Sequence, residues 1–355
     1  MFDVTPIPKP DQTDDLEATV SGGQAPQSLG FLPAPPPCRP PWWARGAHAQ
    51  TLLGHWLTTR VPDLPWEILT VKLADGDALR IRLARGRSGR VVTLFHGLGG
   101  SADRDYMLRA AARFFAEGDT VIAVNHRGAG DGRGLARKPY HSGATRDLAA
   151  VFQVARGLFP DHWQLGIGYS LSGNILLLLL GQDAHERLAR PDAAIAVNPP
   201  ADLDHCSRLL EQGLNRLYDL RFVRLLREEL RHRWELGLMD APVDIPARAT
   251  LRDFDELYTA KAAGFWDRSQ YYARCACGPH LGRIKVPTVI LSAEDDPLAP
   301  AADLRKHQLS PAIHLHVEPH GGHMGYLSHD CTGYRWLEPA LAHFAREMHQ
   351  YAKTK

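Results

Sequence analysis

An α/β architecture is expected of this chain: a mostly parallel central sheet, helices on both faces, and a helical cap insert. Three observations carry this expectation. From residue 90 onward, short apolar runs rich in β-branched residues alternate with stretches of helical spacing. The runs are apolar throughout, as strands covered on both faces are. From Pro199 to about Gly282 the alternation stops, and the chain becomes helical, rich in Arg and Leu, with no clear strand.

Taken in order, residues 1–37 are rich in Pro, Gly, Asp and Gln, and predict a disordered or extended Pro-rich tail. From Trp42 the chain turns aromatic and apolar, as expected of a segment packed on the domain surface. E-I-L-T-V-K-L-A-D-G-D-A-L-R-I-R-L alternates around Asp75-Gly76, the signature of a hairpin. Buried strands are expected at Arg90 to Phe95, in D-T-V-I-A-V-N, in W-Q-L-G-I-G-Y, at Ala193 to Asn198, in V-P-T-V-I-L-S-A and in A-I-H-L-H-V-E. Helices are expected at Tyr106 to Glu117, Ala144 to Leu158 and Trp336 to Tyr351. A buried helix should carry the apolar run Ile175 to Leu180, which is far too short to span a bilayer. The domain is expected over 38–355, with the cap insert at about 200–282. Such an insert would cover the carboxyl edge of the sheet, where open parallel sheets bind ligands.

Composition narrows the function. The 355 residues carry 41 Lys+Arg and 40 Asp+Glu, a formal net charge of +1. A nucleic-acid binder working by phosphate neutralisation would be far more basic. Five cysteines (Cys38, Cys206, Cys275, Cys277 and Cys331) make no disulfide framework, and Cys275-x-Cys277 offers too few ligands for a structural zinc. The N-terminus lacks a basic region followed by a long apolar run, so no secretory signal or stable membrane insertion is expected, and the compartment expected is the reducing cytoplasm.

The sharpest chemical signal is G-Y-S-L-S-G, Gly168 to Gly173, between a strand and a helix. A serine on such a turn stands exposed above the sheet edge. The pattern G-x-S-x-G has Gly where this chain has Ser172. The bland alternative is a strand-to-helix turn with Ser170 as the helix N-cap. A nucleophilic serine needs a base, and the base an orienting acid, in the chain order Ser, acid, His for this sheet type. S-A-E-D-D-P supplies Asp295 and Asp296 at one strand tip, and P-H-G-G-H-M-G-Y supplies His320 and His323 after the next.

Acyl transfer also needs N–H donors aimed at the oxygen that gains charge. Leu171, directly after Ser170, is one candidate, and Leu98 in F-H-G-L-G-G-S is the other. His96 is expected to order this loop rather than act as a base. The same loop, Gly97 to Ala102, also reads as the dinucleotide fingerprint G-x-G-x-x-A. The next strand then ends in Asn125, His126 and Arg127 instead of an acid for a ribose, and Arg127 would have to take a 2′-phosphate.

H-G-L-G-G-S, N-H-R-G, G-Y-S-L-S-G-N, S-A-E-D-D-P and G-G-H-M-G-Y, with G-A-H-A-Q-T-L before them and L-R-D-F-D-E-L-Y-T-A in the cap, occur in an order that resembles the YheT-like branch of the α/β-hydrolase superfamily, which is related to ABHD-type esterases and lipases. The resemblance runs from about Trp42 to the C-terminus. It implies an α/β-hydrolase fold and a catalytic triad of Ser170, Asp296 and His323, with Leu98 and Leu171 as the oxyanion hole. It also implies hydrolysis of carboxylic esters, short-chain or acylglycerol-type, with no metal or organic cofactor and a small-molecule ester, including lipid, as partner. An acyltransferase using the same triad, or a non-catalytic binding module of the same fold, are the alternatives. The cap leucines from Leu209 to Leu226 are expected to pack on the core or to line an acyl tunnel. The arginines from Arg208 to Arg233 are expected to form a solvated face or to attract an anionic substrate.

Overall fold

The computed structural model of the chain describes residues 32–182 and 188–354. Eight strands form one sheet: β1 Glu67–Lys72, β2 Ala78–Ala84, β3 Arg90–Phe95, β4 Thr120–Asn125, β5 Trp163–Tyr169, β6 Ala193–Val197, β7 Thr288–Ala293 and β8 Ile313–Glu318. Their order across the sheet is β1-β2-β4-β3-β5-β6-β7-β8. β2 is antiparallel to both neighbours, and every pair from β4 to β8 is parallel. The reversal between β4 and β3 puts a crevice above β3 and β5, where the two halves of the sheet wind in opposite directions. The hairpin and all six strands therefore lie where the hydrophobic pattern put them, but β8, expected buried, is an edge strand only partly buried over Ile313–Val317. β3, β4, β6 and β7 are buried along their whole length.

The helices are α1 Ala47–Trp56, α2 Asp105–Ala116, α3 Thr145–Leu158, α4 Leu171–Gly181, α5 Leu203–Leu210, α6 Arg216–Glu235, α7 Leu251–Phe254, α8 Ala260–Ala262, α9 Arg268–Cys275, α10 Ala301–Arg305 and α11 Leu337–Lys353. On one face α2 and α11 pack Met107, Phe114, Leu341 and Phe344 against alternate strand residues. On the other, α3 and α4 pack Phe152 and the run Ile175–Leu180. Every residue of that run is buried, because α4 lies between the sheet and other helices. α5 to α9 form the segment between β6 and β7, and α7 passes through a π-helical turn, Asp255–Thr259, into α8. Beyond α9, Cys277, Leu281 and Ile284 already belong to the core beneath the sheet. Among the described residues no helix is long and apolar enough to cross a membrane, and all five cysteines are free thiols.

Of the tail expected over 1–37, residues 1–31 lie outside the described residues. Residues 32–37 are extended and held: Leu32 is buried, Pro33 O lies 2.8 Å from His343 Nε2, and Trp336 Nε1 donates to Pro36 O. The Pro-rich composition denies this segment helix and ladder bonds, and its carbonyls bond to α11 and the residue before it instead. The stretch after Trp42 packs on the domain surface as the helix α1, with Trp42 and Trp56 exposed and Gln50, Thr51 and Gly54 turned inward. Gln50 there is fully buried, donates to Ala44 O and Leu327 O, and accepts from Leu327 N–H.

Candidate active site

The site begins at the turn from β5 into α4. Ser170 sits on it with φ 51 and ψ −117, a left-handed conformation that costs a non-glycine residue of order 1–3 kcal/mol. The turn is tight because backbones meet: a Cβ at Gly168 would collide with Ser172 O. Ser170 occupies the N-cap position of α4, but its side chain makes no capping bond there and is free for another partner. Its Oγ lies instead 2.9 Å from His323 Nε2. His323 Nδ1 lies 2.9 Å from Asp296 Oδ2 and 3.2 Å from Oδ1. A carboxylate only accepts, so Nδ1 carries the ring proton and Nε2 is left free to accept from Ser170. Three groups distant in sequence thus form one hydrogen-bonded chain.

Of the two acids, Asp296 is the one that reaches the ring. Its side chain is fully buried and also accepts from Leu298 N–H (2.8 Å), Ala299 N–H (3.0 Å) and Asn198 Nδ2 (2.6 Å). Asp295 turns the other way, accepting from Gly321 N–H (2.9 Å) and Gly322 N–H (2.8 Å) and so pinning the loop that carries His323. His320 is half exposed and lies 3.5 Å from Asp295, outside the chain of three. Asn198, at a positive φ of 46, also receives a bond from Tyr326 Oη at 3.0 Å.

α1 supports the histidine from behind. His323 N–H donates to Thr51 Oγ1 at 2.9 Å, and Thr51 Oγ1 donates to Ala47 O at 2.7 Å. Gly54 and Gly325 let helix and loop touch: a Cβ at Gly54 would lie 2.5 Å from Gly325 Cα.

Leu98 and Leu171 flank Ser170. Leu171 is the first residue of α4, and first-turn N–H groups have no partner within their helix. The N–H groups beside Leu98 are both committed to partly buried tyrosines. Gly97 donates to Tyr106 Oη at 2.9 Å and Gly99 to Tyr140 Oη at 2.7 Å. Burial pushes the Tyr106 hydroxyl up to about 12 and the Tyr140 hydroxyl up as well, so both stay protonated. His96 is fully buried, with Nδ1 2.8 Å from Gly97 O and Nε2 accepting from His126 N–H at 3.3 Å. Burial, then the neighbouring His126, hold its pKa well below the usual range. It is a neutral ring that orders the loop.

Ser172, the departure from G-x-S-x-G, is buried and used. Its Oγ donates to His96 O and lies 2.7 Å from His126 Nε2, tying the elbow to the loops after β3 and β4. Asn125 Oδ1 accepts from Ala102 N–H at 2.8 Å. Arg127 is consumed: it bonds Asp147 through Nε (2.7 Å) and Nη2 (2.8 Å), and Asp77 (2.6 Å) and Asp75 (2.9 Å) through Nη1. That arrangement leaves no guanidinium for a 2′-phosphate and removes the support of the dinucleotide alternative.

Sequence reasoning assigned no role to Gln50 and Thr51 within G-A-H-A-Q-T-L, and passed over Tyr106, Tyr140 and Asn198 as site residues. Each acts through a polar contact with a backbone or a neighbour far along the chain, which leaves no local pattern. A profile of the alpha/beta hydrolase fold family matches residues 90–330. The chain is similar to the provisionally named esterase YheT of Escherichia coli (strain K12), 29% identical over 289 residues that cover 79% of this chain and 84% of the relative. It is similar to the phospholipase ABHD3 of Mus musculus, 25% identical over 301 residues, 81% of this chain and 72% of the relative. Among solved structures it resembles the esterase Pf2001 of Pyrococcus furiosus in fold, with a TM-score of 0.53 at 14% identity, covering 90% of this chain and 97% of that one.

Proposed function

From a chain that belongs to the alpha/beta hydrolase family, we propose a serine hydrolase of carboxylic esters that works through Ser170, His323 and Asp296. The single observation that carries the reading is the unbroken chain Ser170 Oγ, His323 ring, Asp296 carboxylate, with 2.9 Å at each link, in the floor of a cavity. Relatives named as esterase and phospholipase support the reaction class.

The geometry leads to the following steps. Ser170 Oγ attacks the ester carbonyl carbon as its proton passes to His323 Nε2. Asp296 holds the ring in the Nδ1–H tautomer and stabilises the imidazolium. The oxygen that gains charge is received by the Leu98 and Leu171 N–H groups. Collapse expels the alcohol, which takes the proton from His323. Water, with His323 as base, then releases the acid.

The test is turnover of p-nitrophenyl acyl esters of increasing chain length by the protein and by Ser170→Ala, together with labelling by a fluorophosphonate probe. The expected result is labelling at Ser170 and a loss on the order of 10⁶-fold in kcat in the variant. Wild-type turnover by Ser170→Ala would overturn the assignment. Absence of labelling would favour a non-catalytic binding module, and acyl transfer would show as a new ester when alcohol acceptors are supplied.

A further inference from the structure

The cavity above Ser170 has two arms that share Leu98, Ser170, Phe222, Leu298 and His323. The inner arm, about 110 Å³, runs under the cap among Leu171, Leu203, Leu210 and Leu226, with Asp255 and Tyr272 among its polar residues. The outer arm, about 640 Å³, opens between α1, the loop after β3 and α6. Its walls include Leu52, Leu217, Leu225 and Met324, but it also contains Arg104, Arg221 and His55, from three different elements.

These arginines are unlike most in the fold. Arg104 Nη2 donates to Gly99 O at 3.1 Å, which places its guanidinium beside the loop that carries Leu98. Arg221 Nη2 lies 2.7 Å from His55 Nε2. A guanidinium has five N–H donors, and among the described residues neither arginine has a carboxylate within 4.0 Å. The other charges of the arm are matched or few. Arg109 is bound to Glu338 at 2.6 Å and Asp103 to Arg82 at 2.5 Å, and Asp105 is the remaining acid. Burial, then Arg221 and Arg104, hold the His55 pKa below its usual value, while burial, then Arg104 and Arg224, do the same to Arg221. Arg221 and His55 are exposed at the mouth of this arm and Arg104 is half-buried; like charges facing one opening repel, and an anionic group among them reverses the sign of that interaction. Forked guanidinium donors suit the oxygens of phosphate or carboxylate.

We propose that Arg104 and Arg221 form an anion subsite, and that the preferred esters carry a phosphate or carboxylate in the part that occupies the outer arm. The proposal rests on the hydrolase reading of Ser170 and names the substrate class for it. The anion can come from the alcohol side or the acyl side, and chain-matched pairs separate the two. One pair is 1-octanoylglycerol against 1-octanoylglycerol 3-phosphate, and the other is p-nitrophenyl butyrate against p-nitrophenyl hemisuccinate. The expected result is a kcat/KM about tenfold or more higher for the anionic member of at least one pair. Arg221→Gln and Arg104→Lys should each cut that preference about tenfold, chiefly through KM. Arg224→Gln, whose exposed side chain pairs with Glu228, should shift it by less than about twofold, as a bulk-charge control. Equal kcat/KM within both pairs, or a preference untouched in the two pocket variants, overturns the subsite while labelling of Ser170 and turnover of neutral esters keep the hydrolase reading. If Ser170 is neither labelled nor active on any ester, the hydrolase reading fails instead. Calorimetric titration of glycerol 3-phosphate then decides the subsite: saturable binding weakened in Arg221→Gln supports it, and no binding overturns it.

Discussion

Two adjacent carboxylates at the tip of β7 do different work, and substitution separates them. Asp296→Asn leaves the ring facing an amide that cannot hold its proton in the same way, and should lower kcat on the order of 10⁴-fold in ester turnover. Asp295→Ala removes the acceptor of Gly321 and Gly322 N–H. It should cost about 1–3 kcal/mol of stability by thermal or chemical denaturation and lower kcat far less than Asp296→Asn. Tyr140 is a positioning residue for the loop after β3. Tyr140→Phe leaves Gly99 N–H without its acceptor, so kcat should fall about tenfold with KM nearly constant, because only the aim of the Leu98 N–H is disturbed. Loss of both parameters in proportion to unfolded protein would argue against a positioning role. The family resemblance already favoured Asp296, but the work of Asp295 could not be read from D-D-P, and a tyrosine among polar residues carries no sign of its partner.

Between elements, the site is a meeting of turns, each set by the strand or helix beneath it. Ser172 links three of them. Its hydroxyl stands between His96 O and His126 Nε2, so Ser172→Ala should cost about 1–3 kcal/mol through two buried groups left unpaired. The residue that looked like a flaw in the elbow pattern is therefore a connection between loops. α1 acts just as specifically, backing the histidine loop at the contact of Gly54 with Gly325. Gly54→Ala should push that loop away and lower kcat about 10–100-fold, since small displacements of a catalytic group weigh heavily on rate. Equal kcat in a folded Gly54→Ala variant would show that α1 merely covers the site. The strands and the main helices were legible because burial on one or both faces dictates their periodicity. α1 was not, because its buried positions Gln50, Thr51 and Gly54 are polar or small.

Across the molecule, buried titratable groups set the response to acid. Burial pushes His126 and His141 down to about 4, and His96 lower than usual, so the folded state keeps these rings neutral. The unfolded chain takes up protons near the ordinary histidine value of about 6.5. Between about pH 6.5 and 4 it therefore binds more protons than the fold, and stability falls as pH drops. Asp255 acts the other way. Burial raises it to about 6 despite its bonds to Thr259 and Tyr272, so the fold binds its proton first and this term favours the fold as pH drops through that range. The melting temperature should fall from pH 7.5 to pH 5, and Asp255→Asn should make that fall steeper. An acid response unchanged in Asp255→Asn would show that the carboxyl is not held near 6.

The order of amino acids was enough for the α/β class, the strands, the elbow at Ser170 and two short segments that each contain a partner it needs. It was enough because a buried strand, a tight turn and a Gly-rich loop impose local rules on composition and spacing. The family resemblance added Asp296 and His323; what Asp295 holds, what the Ser172 hydroxyl does and what becomes of Arg127 emerged from the folded arrangement alone. So did the convergence of a cap arginine and a loop arginine on the cavity that holds Ser170. Those outcomes depend on distances and angles between residues far apart in the chain, and a hydrogen bond or ion pair of this kind leaves no trace in the residues that flank either partner.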